Sequence, residues 1–110
     1  MVSSSLDRGD LVTIDFDPQA GHEQAGRRPA LVLSPRAFND LSGFALLCPI
    51  TNTIKGWPYE VVLPDGLACS GAVLVDQVRS FDWRARRARV IGQAPKHIVE
   101  DALAKLHTLL

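Results

Sequence analysis

The sequence predicts a small, mainly antiparallel β domain closed by one helix. Two observations lead there. Short apolar runs, several alternating with polar residues, are separated by clusters of Gly, Pro, Asn and Asp along most of the chain. The period changes only at the C-terminus, where Val99, Ala102, Leu103, Leu106 and Leu110 recur at spacings of three and four. The expected class is therefore mainly β (α+β), a small antiparallel barrel or sheet with a C-terminal helix.

Val12, Ile14 and Phe16 alternate with Thr13 and Asp15, the pattern of a half-buried first strand. Asp17-Pro18 ends it, and residues 17–28, dense in polar groups and glycine, are expected as an exposed loop. A connection of that length in a compact domain is usually functional or disordered. The run Pro29 to Leu33 is the expected second strand, closed by Pro35. Phe38-Asn39-Asp40 with Ser42-Gly43 reads as a turn. Phe44 to Thr51 is a third strand interrupted by Pro49, which suggests an edge or a bulge. A polar loop at 52–58 precedes a strand from Tyr59 to Leu63, and Pro64-Asp65-Gly66 makes a tight reversal. Ala72 to Val78 is a further strand whose end runs on to Asp82-Trp83-Arg84, and Arg87 to Gly92 is the last. Pro95 suits the first turn of the helix, with Glu100 near its N-terminal end.

The chain has 110 residues, enough for one core, so a single domain spanning 1–110 is expected. Its apolar runs fall far short of the ~20 residues that span a bilayer, and Met1 to Asp10, with three serines and two aspartates, does not read as a leader. Cys48 and Cys69 form neither a CxxC pair nor a zinc spacing, so a reducing cytoplasm is the expected setting. Twelve basic and twelve acidic side chains cancel, which excludes a strongly basic, non-specific nucleic-acid binder. The average conceals a pattern, however. Nine of the twelve bases are arginine, the residue whose rigid fork grips phosphate, and five of these lie between Arg79 and Arg89.

Several groups are candidates for chemistry, each with a plainer reading beside it. Gly21 and Gly26 flank His22, Glu23 and Gln24, with Arg27 and Arg28 following, so one loop can bring imidazole, carboxylate and guanidinium together; surface loops are also simply charged. Adjacent His22 and Glu23 without a second histidine make a metal site a poor fit, and no metal or cofactor is expected. Thr51, Asn52, Thr53 and Lys55 gather donors where a strand meets a loop, or form a polar turn. Asp76-Gln77 interrupts an apolar strand, and strict alternation puts one of the two on a largely apolar face, a structural role as much as a catalytic one. The run holding Arg79, Arg84 and Arg86, with Phe81 and Trp83 interleaved, reads as a solvated face or as a surface for phosphates and a stacked base. Trp57 and Tyr59 line a groove, or belong to a core or dimer contact. His97 and His107 are set aside as helix surface residues.

Taken in order, Gly9-Asp10-Leu11, Asp17-Pro18, Gly21-His22-Glu23-Gln24-Ala25-Gly26, Arg28-Pro29, Ser34-Pro35, Phe38-Asn39, Pro49-Ile50-Thr51, Lys55-Gly56 and Asp76-Gln77-Val78-Arg79-Ser80 form a combination. From about Gly9 to the C-terminal helix it resembles the MazF/PemK family of toxin endoribonucleases.

That resemblance implies an SH3-like barrel with added elements, the MazF/CcdB-like toxin fold. It implies a cytoplasmic homodimer that cuts single-stranded RNA, chiefly mRNA, at short recognition sequences without metal. A cognate antitoxin would occupy the RNA groove through an acidic C-terminal segment. In such ribonucleases the 2′-hydroxyl attacks the neighbouring phosphorus, leaving a 2′,3′-cyclic phosphate and a 5′-hydroxyl. By the same likeness Arg28 stabilises phosphate and serves proton transfer, Thr51 donates a hydroxyl hydrogen to the phosphoryl group, and Glu23 orients or exchanges protons. His22 and Asp76 match positions of the PemK-like branch, but the arginine that this branch carries two positions before the aspartate is Leu74 here, which shifts weight to Arg28 and Thr51. Gln24, Arg27, Asn52, Lys55, Gln77, Arg79, Arg84 and Arg86 are the expected supporting or RNA-contacting residues. The alternatives are a gyrase-targeting toxin of the related fold without catalysis of its own, and a non-enzymatic β-barrel adaptor.

Overall fold

The computed structural model describes residues 5–16 and 26–110. Among the described residues seven strands and two helices follow one another: β1 (Asp10–Asp15), β2 (Arg27–Val32), α1 (Arg36–Ser42), β3 (Phe44–Thr51), β4 (Glu60–Val62), β5 (Ala72–Leu74), β6 (Arg79–Asp82), β7 (Arg89–Gln93) and α2 (Lys96–His107). All strand pairs are antiparallel. The sheet order is β4-β5-β3-β2-β1-β7, with β6 paired to β3 beside that path, and the sheet stays open.

Both faces of the sheet are covered. Alternation sends Leu11, Leu31, Cys48 and Ile50 to one side, where Val61, Val73, Ile98 and Ala102 close over them. Val12, Ile14, Ala30, Val32, Ala45 and Leu47 face the other side and pack on Leu6, Phe81 and Trp83. The first strand is thus buried on both faces at its centre, more than its half-polar pattern suggests, because α2 lies over the Leu11 side. Each large apolar side chain buried this way contributes roughly 1.5–3 kcal/mol.

β3 is a central strand, which corrects the expectation of an edge or bulge at Pro49. β2 flanks it on one side. On the other, β6 covers Phe44 to Leu47 and β5 covers Ile50 and Thr51. Leu46 addresses β2 with both backbone groups: its N–H donates to Ser34 Oγ (2.9 Å) and its carbonyl accepts from Leu33 N–H (2.9 Å). By alternation Leu47, Pro49 and Thr51 address the opposite side. The missing N–H of Pro49 therefore falls in the gap where β6 has stopped pairing and β5 has not begun, and costs no ladder bond.

The connection across that gap is a single 3-10 turn, Val75–Gln77, so the strand expected through Val78 ends at Leu74. The turn abolishes the alternation that was to drive Asp76 or Gln77 onto an apolar face; both are exposed. The arginine run also breaks up, with residues 83–87 forming a turn and β7 starting only at Arg89. Arg27 and Arg28, expected in the loop, open β2.

Residues 36–42, read as a turn, are a short helix. Its end is set by Gly43, whose left-handed φ of 75° lets its N–H donate to Asn39 O. Asn39 holds the helix in place. Its buried amide donates to Leu6 O (2.9 Å) and Ser34 O (3.0 Å) and accepts from the Ser34 hydroxyl (2.5 Å), while its carbonyl accepts from Trp83 Nε1 (3.2 Å). Local propensity says turn; these partners, distant in sequence, say helix. In α2 the expected helix stops at His107, leaving Leu110 92% exposed, and Ile98 takes the buried place that spacing gave to Val99.

Replacing Asn39 with Ala leaves two buried carbonyls without donors, at about 1–3 kcal/mol each. The expected loss of unfolding free energy is about 3 kcal/mol by urea denaturation followed through Trp fluorescence. A loss within about 0.5 kcal/mol, the usual size for a surface substitution, would remove Asn39 from this role.

Candidate active site

The β2–β3 ladder pairs Ala30 with Pro49 and Leu31 with Cys48. On the other edge of β2, Arg28 pairs with Ile14. Ile14 and Arg28 thus face one side of the sheet, and Thr51 lies at the end of the neighbouring strand, just past the last β2–β3 pair. Arg28 is exposed and Thr51 half-buried, so a guanidinium on β2 and a hydroxyl on the adjacent β3 both reach the rim of the core.

Thr51 ends its strand against unusually close backbone. Gly71, at φ 118°, approaches so nearly that a Cβ there would collide with Thr51 O, which only glycine allows. Thr51 Oγ1 accepts from Thr53 N–H (3.1 Å), leaving its own hydrogen to donate outward. The following loop is shaped by Glu60, a residue that sequence reading passed over. Its buried carboxylate accepts from the backbone N–H groups of Lys55 (3.2 Å), Gly56 (3.0 Å) and Trp57 (3.2 Å). The only sequence signal is an acid opening an apolar strand four residues after a glycine.

This loop and the 3-10 turn enclose an open cleft of about 690 Å³ whose walls include Thr51, Lys55, Trp57, Asp76 and Gln77. Trp57, half-exposed, lines it, with Tyr59 packed behind at 5.8 Å between ring centroids. Asn52 is exposed directly after Thr51. Four expected site residues, Thr51, Lys55, Asp76 and Gln77, therefore converge on one cavity. The Cys48 thiol lies below in the core, pushed up to about 12 by burial and then by the Asp76 carboxylate, so it is no nucleophile there.

The arginines divide. Arg79 pairs with Leu47 and shares the Arg28 face, its guanidinium 4.8 Å from the Phe81 ring. Arg86 lies 5.1 Å from the same ring and donates to Phe16 O (2.6 Å) and Asp15 O (3.2 Å), bolting the 83–87 turn to the end of β1. Arg84 stacks 4.3 Å over Trp83 and is exposed. Arg27, adjacent to Arg28 on one strand, emerges on the opposite face and pairs with Asp15 at 2.9 Å. His22, Glu23 and Gln24 lie outside the described residues. The ends of their segment are joined by Phe16 N–H donating to Gly26 O (2.7 Å), at the Arg28 end of the sheet. Among the described residues no cluster of three or more His, Cys, Asp or Glu forms, and no helix is long and apolar enough to cross a membrane.

Residues 7–110 match the family described as PemK-like, MazF-like toxin of type II toxin-antitoxin system. The chain belongs to this toxin family. The endoribonuclease toxin MazF of Escherichia coli K12 is 46% identical over 94% of this chain and 93% of its own length. Endoribonuclease PemK of Escherichia coli is 34% identical over 97% and 84%. The crystal structure of MazF from Deinococcus radiodurans superposes with a TM-score of 0.88 at 50% identity, covering 97% of each chain. The MazF-like toxin fold and endoribonuclease class expected from the motifs are thus established.

Two expectations follow for this MazF-like site. Glu60→Gln turns one acceptor into a donor facing backbone N–H groups. It should cost about 2 kcal/mol and strip the amides of Lys55, Gly56 and Trp57 of hydrogen-exchange protection, while unchanged protection would dismiss the carboxylate as organiser. Hydrogen bonds from Arg27, then Arg87, hold Asp15 below its ordinary 3.8. Because the native value is the lower one, the stabilisation is complete above pH 3.8 and is lost as pH falls through the native value. The stability difference between wild type and Asp15→Asn should be flat from neutral pH down to about 4 and shrink below it; a constant difference at lower pH would contradict the ion pairs.

Proposed function

We propose that this endoribonuclease toxin cuts single-stranded RNA, chiefly mRNA, at short recognition sequences by internal transesterification. The reading rests on the open, donor-lined cleft walled by Thr51, Lys55, Asp76 and Gln77, with Arg28 exposed on β2, the strand next to β3. The RNA 2′-oxygen attacks the adjacent phosphorus, the bond to the 5′-oxygen breaks, and the products are a 2′,3′-cyclic phosphate and a 5′-hydroxyl. One proton leaves the 2′-hydroxyl and one reaches the departing 5′-oxygen. Arg28 and the Thr51 hydroxyl take up charge developing on the phosphoryl oxygens, the largest demand in such a step. Glu23 is the proton-exchange partner, with Arg28 assisting and His22 and Asp76 in support. Lys55, Gln77 and Asn52 grip the strand in the cleft, and Trp57 offers a ring face for a base. Gln24, Arg79, Arg84 and Arg86 extend the contact surface, Arg86 chiefly by fixing the 83–87 turn. The chemistry runs without metal.

The toxin works as a cytoplasmic homodimer whose paired grooves hold the RNA. Relatives from Deinococcus radiodurans are solved as MazE–MazF complexes, one superposing at a TM-score of 0.87 with 44% identity. A cognate antitoxin is accordingly the expected inhibitor, its acidic C-terminal segment competing with RNA for the arginine-lined surface.

Purified protein is expected to cleave mixed-sequence single-stranded RNA in EDTA and to leave cyclic phosphate on the upstream fragment. Arg28→Ala and Thr51→Val should each lower turnover about 10²–10³-fold without shifting the urea midpoint. A 3′-hydroxyl product, a requirement for divalent cation, or full activity in Arg28→Ala would overturn the mechanism.

A further inference from the structure

On the face of the sheet opposite Arg28, the ends of β1, β2 and β7 form a second, smaller notch of about 360 Å³ lined by Thr13, Arg27, Arg87 and Arg89. Its construction is specific. Thr13 and Arg89 are directly paired across β1 and β7, so their side chains leave the sheet side by side. Arg87 is the one non-glycine residue with positive φ among the described residues, at 56°. That strained turn is held by Arg27, which donates to Arg87 O (2.7 Å) and to Thr13 Oγ1 (3.1 Å) while pairing with Asp15. Arg87 gives Nε to the other Asp15 oxygen (3.0 Å), which orients its fork and leaves both terminal amino groups to point elsewhere. Both terminal amino groups of Arg27 bond to the protein. What remains is the outer edge of Arg87, the exposed Arg89 guanidinium, and the hydrogen of the Thr13 hydroxyl. Three cations face one carboxylate, so the notch carries excess positive charge and an array of donors suited to a tetrahedral oxyanion.

We infer that this notch is a second phosphate subsite, formed by Arg87, Arg89 and Thr13, that holds the RNA backbone beyond the nucleotides at the cut. The inference rests on the ribonuclease reading above. Because Arg27 and Arg28 are consecutive on β2 and emerge on opposite faces, a single strand passing round this end of the sheet meets both surfaces. The notch reads no base, so it lengthens the binding site without altering the recognised sequence.

The test compares wild type with Arg87→Gly/Arg89→Gln. Glycine is unstrained at φ 56°, so the turn should persist, and a urea midpoint lowered by no more than the loss of the exposed Arg87–Asp15 pair checks it. Two RNAs are used: the shortest that the wild type cleaves, and the same sequence extended at both ends. The double variant should leave kcat/KM on the short RNA unchanged and lower it about tenfold on the extended one. The slope of log Kd against log salt for the extended RNA, read by fluorescence anisotropy, should become shallower by about 0.7 for each phosphate that the variant no longer neutralises. Arg87→Lys/Arg89→Lys, which keeps the charges, should restore most of that slope. Equal losses on both RNAs, or no loss on the extended one, would overturn the subsite. So would a variant that binds RNA normally but loses affinity for a polyglutamate peptide, which would reassign the notch to an acidic partner. If wild type cleaves no RNA at all, the ribonuclease reading fails, while the salt slope measured on a long mixed-sequence RNA still decides whether the notch holds RNA.

Discussion

The protein depends on a single strand that must satisfy two partners along one edge. β3 pairs with β2 on one side and is shared between β6 and β5 on the other, and Pro49 sits where the second side changes hands. Its missing N–H faces that gap, so the proline makes the exchange possible without breaking the ladder. Everything at the candidate site descends from this arrangement. The 3-10 turn that carries Asp76 and Gln77 bridges the two partners, and Thr51 reaches the rim because β5 begins pairing only at the strand's last two residues.

Apolar burial on both sheet faces supplies bulk stability, but the irregular segments are placed by polar groups with complete sets of partners. Asn39 joins the N-terminal segment, the short helix and Trp83. Glu60 shapes a loop in which three consecutive backbone N–H groups turn to one carboxylate. Asp15 gathers Arg27 and Arg87, and Arg86 caps the end of β1. Burial of this kind is costly when any partner is missing, which makes each junction specific as well as stable. The division of labour between consecutive arginines follows from the two-residue period of a strand: Arg28 is delivered exposed to the Ile14 face, Arg27 to structural duty on the other.

The legible part of the fold was the part governed by local periodicity. β1, β2, β3 and α2 announce themselves by alternation or by three-and-four spacing, because each buries a continuous stripe. The short helix at residues 36–42 did not, since one or two turns show no period and Asn39, Asp40 and Ser42 favour a turn until tertiary partners intervene. The 3-10 turn at 75–77 hid inside an apolar run for a similar reason: nothing in Val75-Asp76-Gln77 marks where pairing with β3 stops. Thr51, Lys55, Asp76 and Gln77 were named from residue type and motif, yet their convergence on one cleft required the turn that the strand reading lacked. Glu60 was missed because a lone acid beside an apolar strand looks like surface until the loop folds back on it.

By itself, then, the sequence determined the β-rich class, the C-terminal helix and, through its ordered motifs, membership of the PemK/MazF-like toxin family. Those features depend on patterns read within a few residues or on residue identities in order. Only the tertiary structure decided that β3 is central, that Arg28 shares the Ile14 face while Arg27 turns to Asp15 on the other, and that the net-neutral chain keeps two separate donor-rich surfaces. Register and strand exchange are settled by contacts between segments tens of residues apart, and no local pattern encodes which edge of a strand its partner will take.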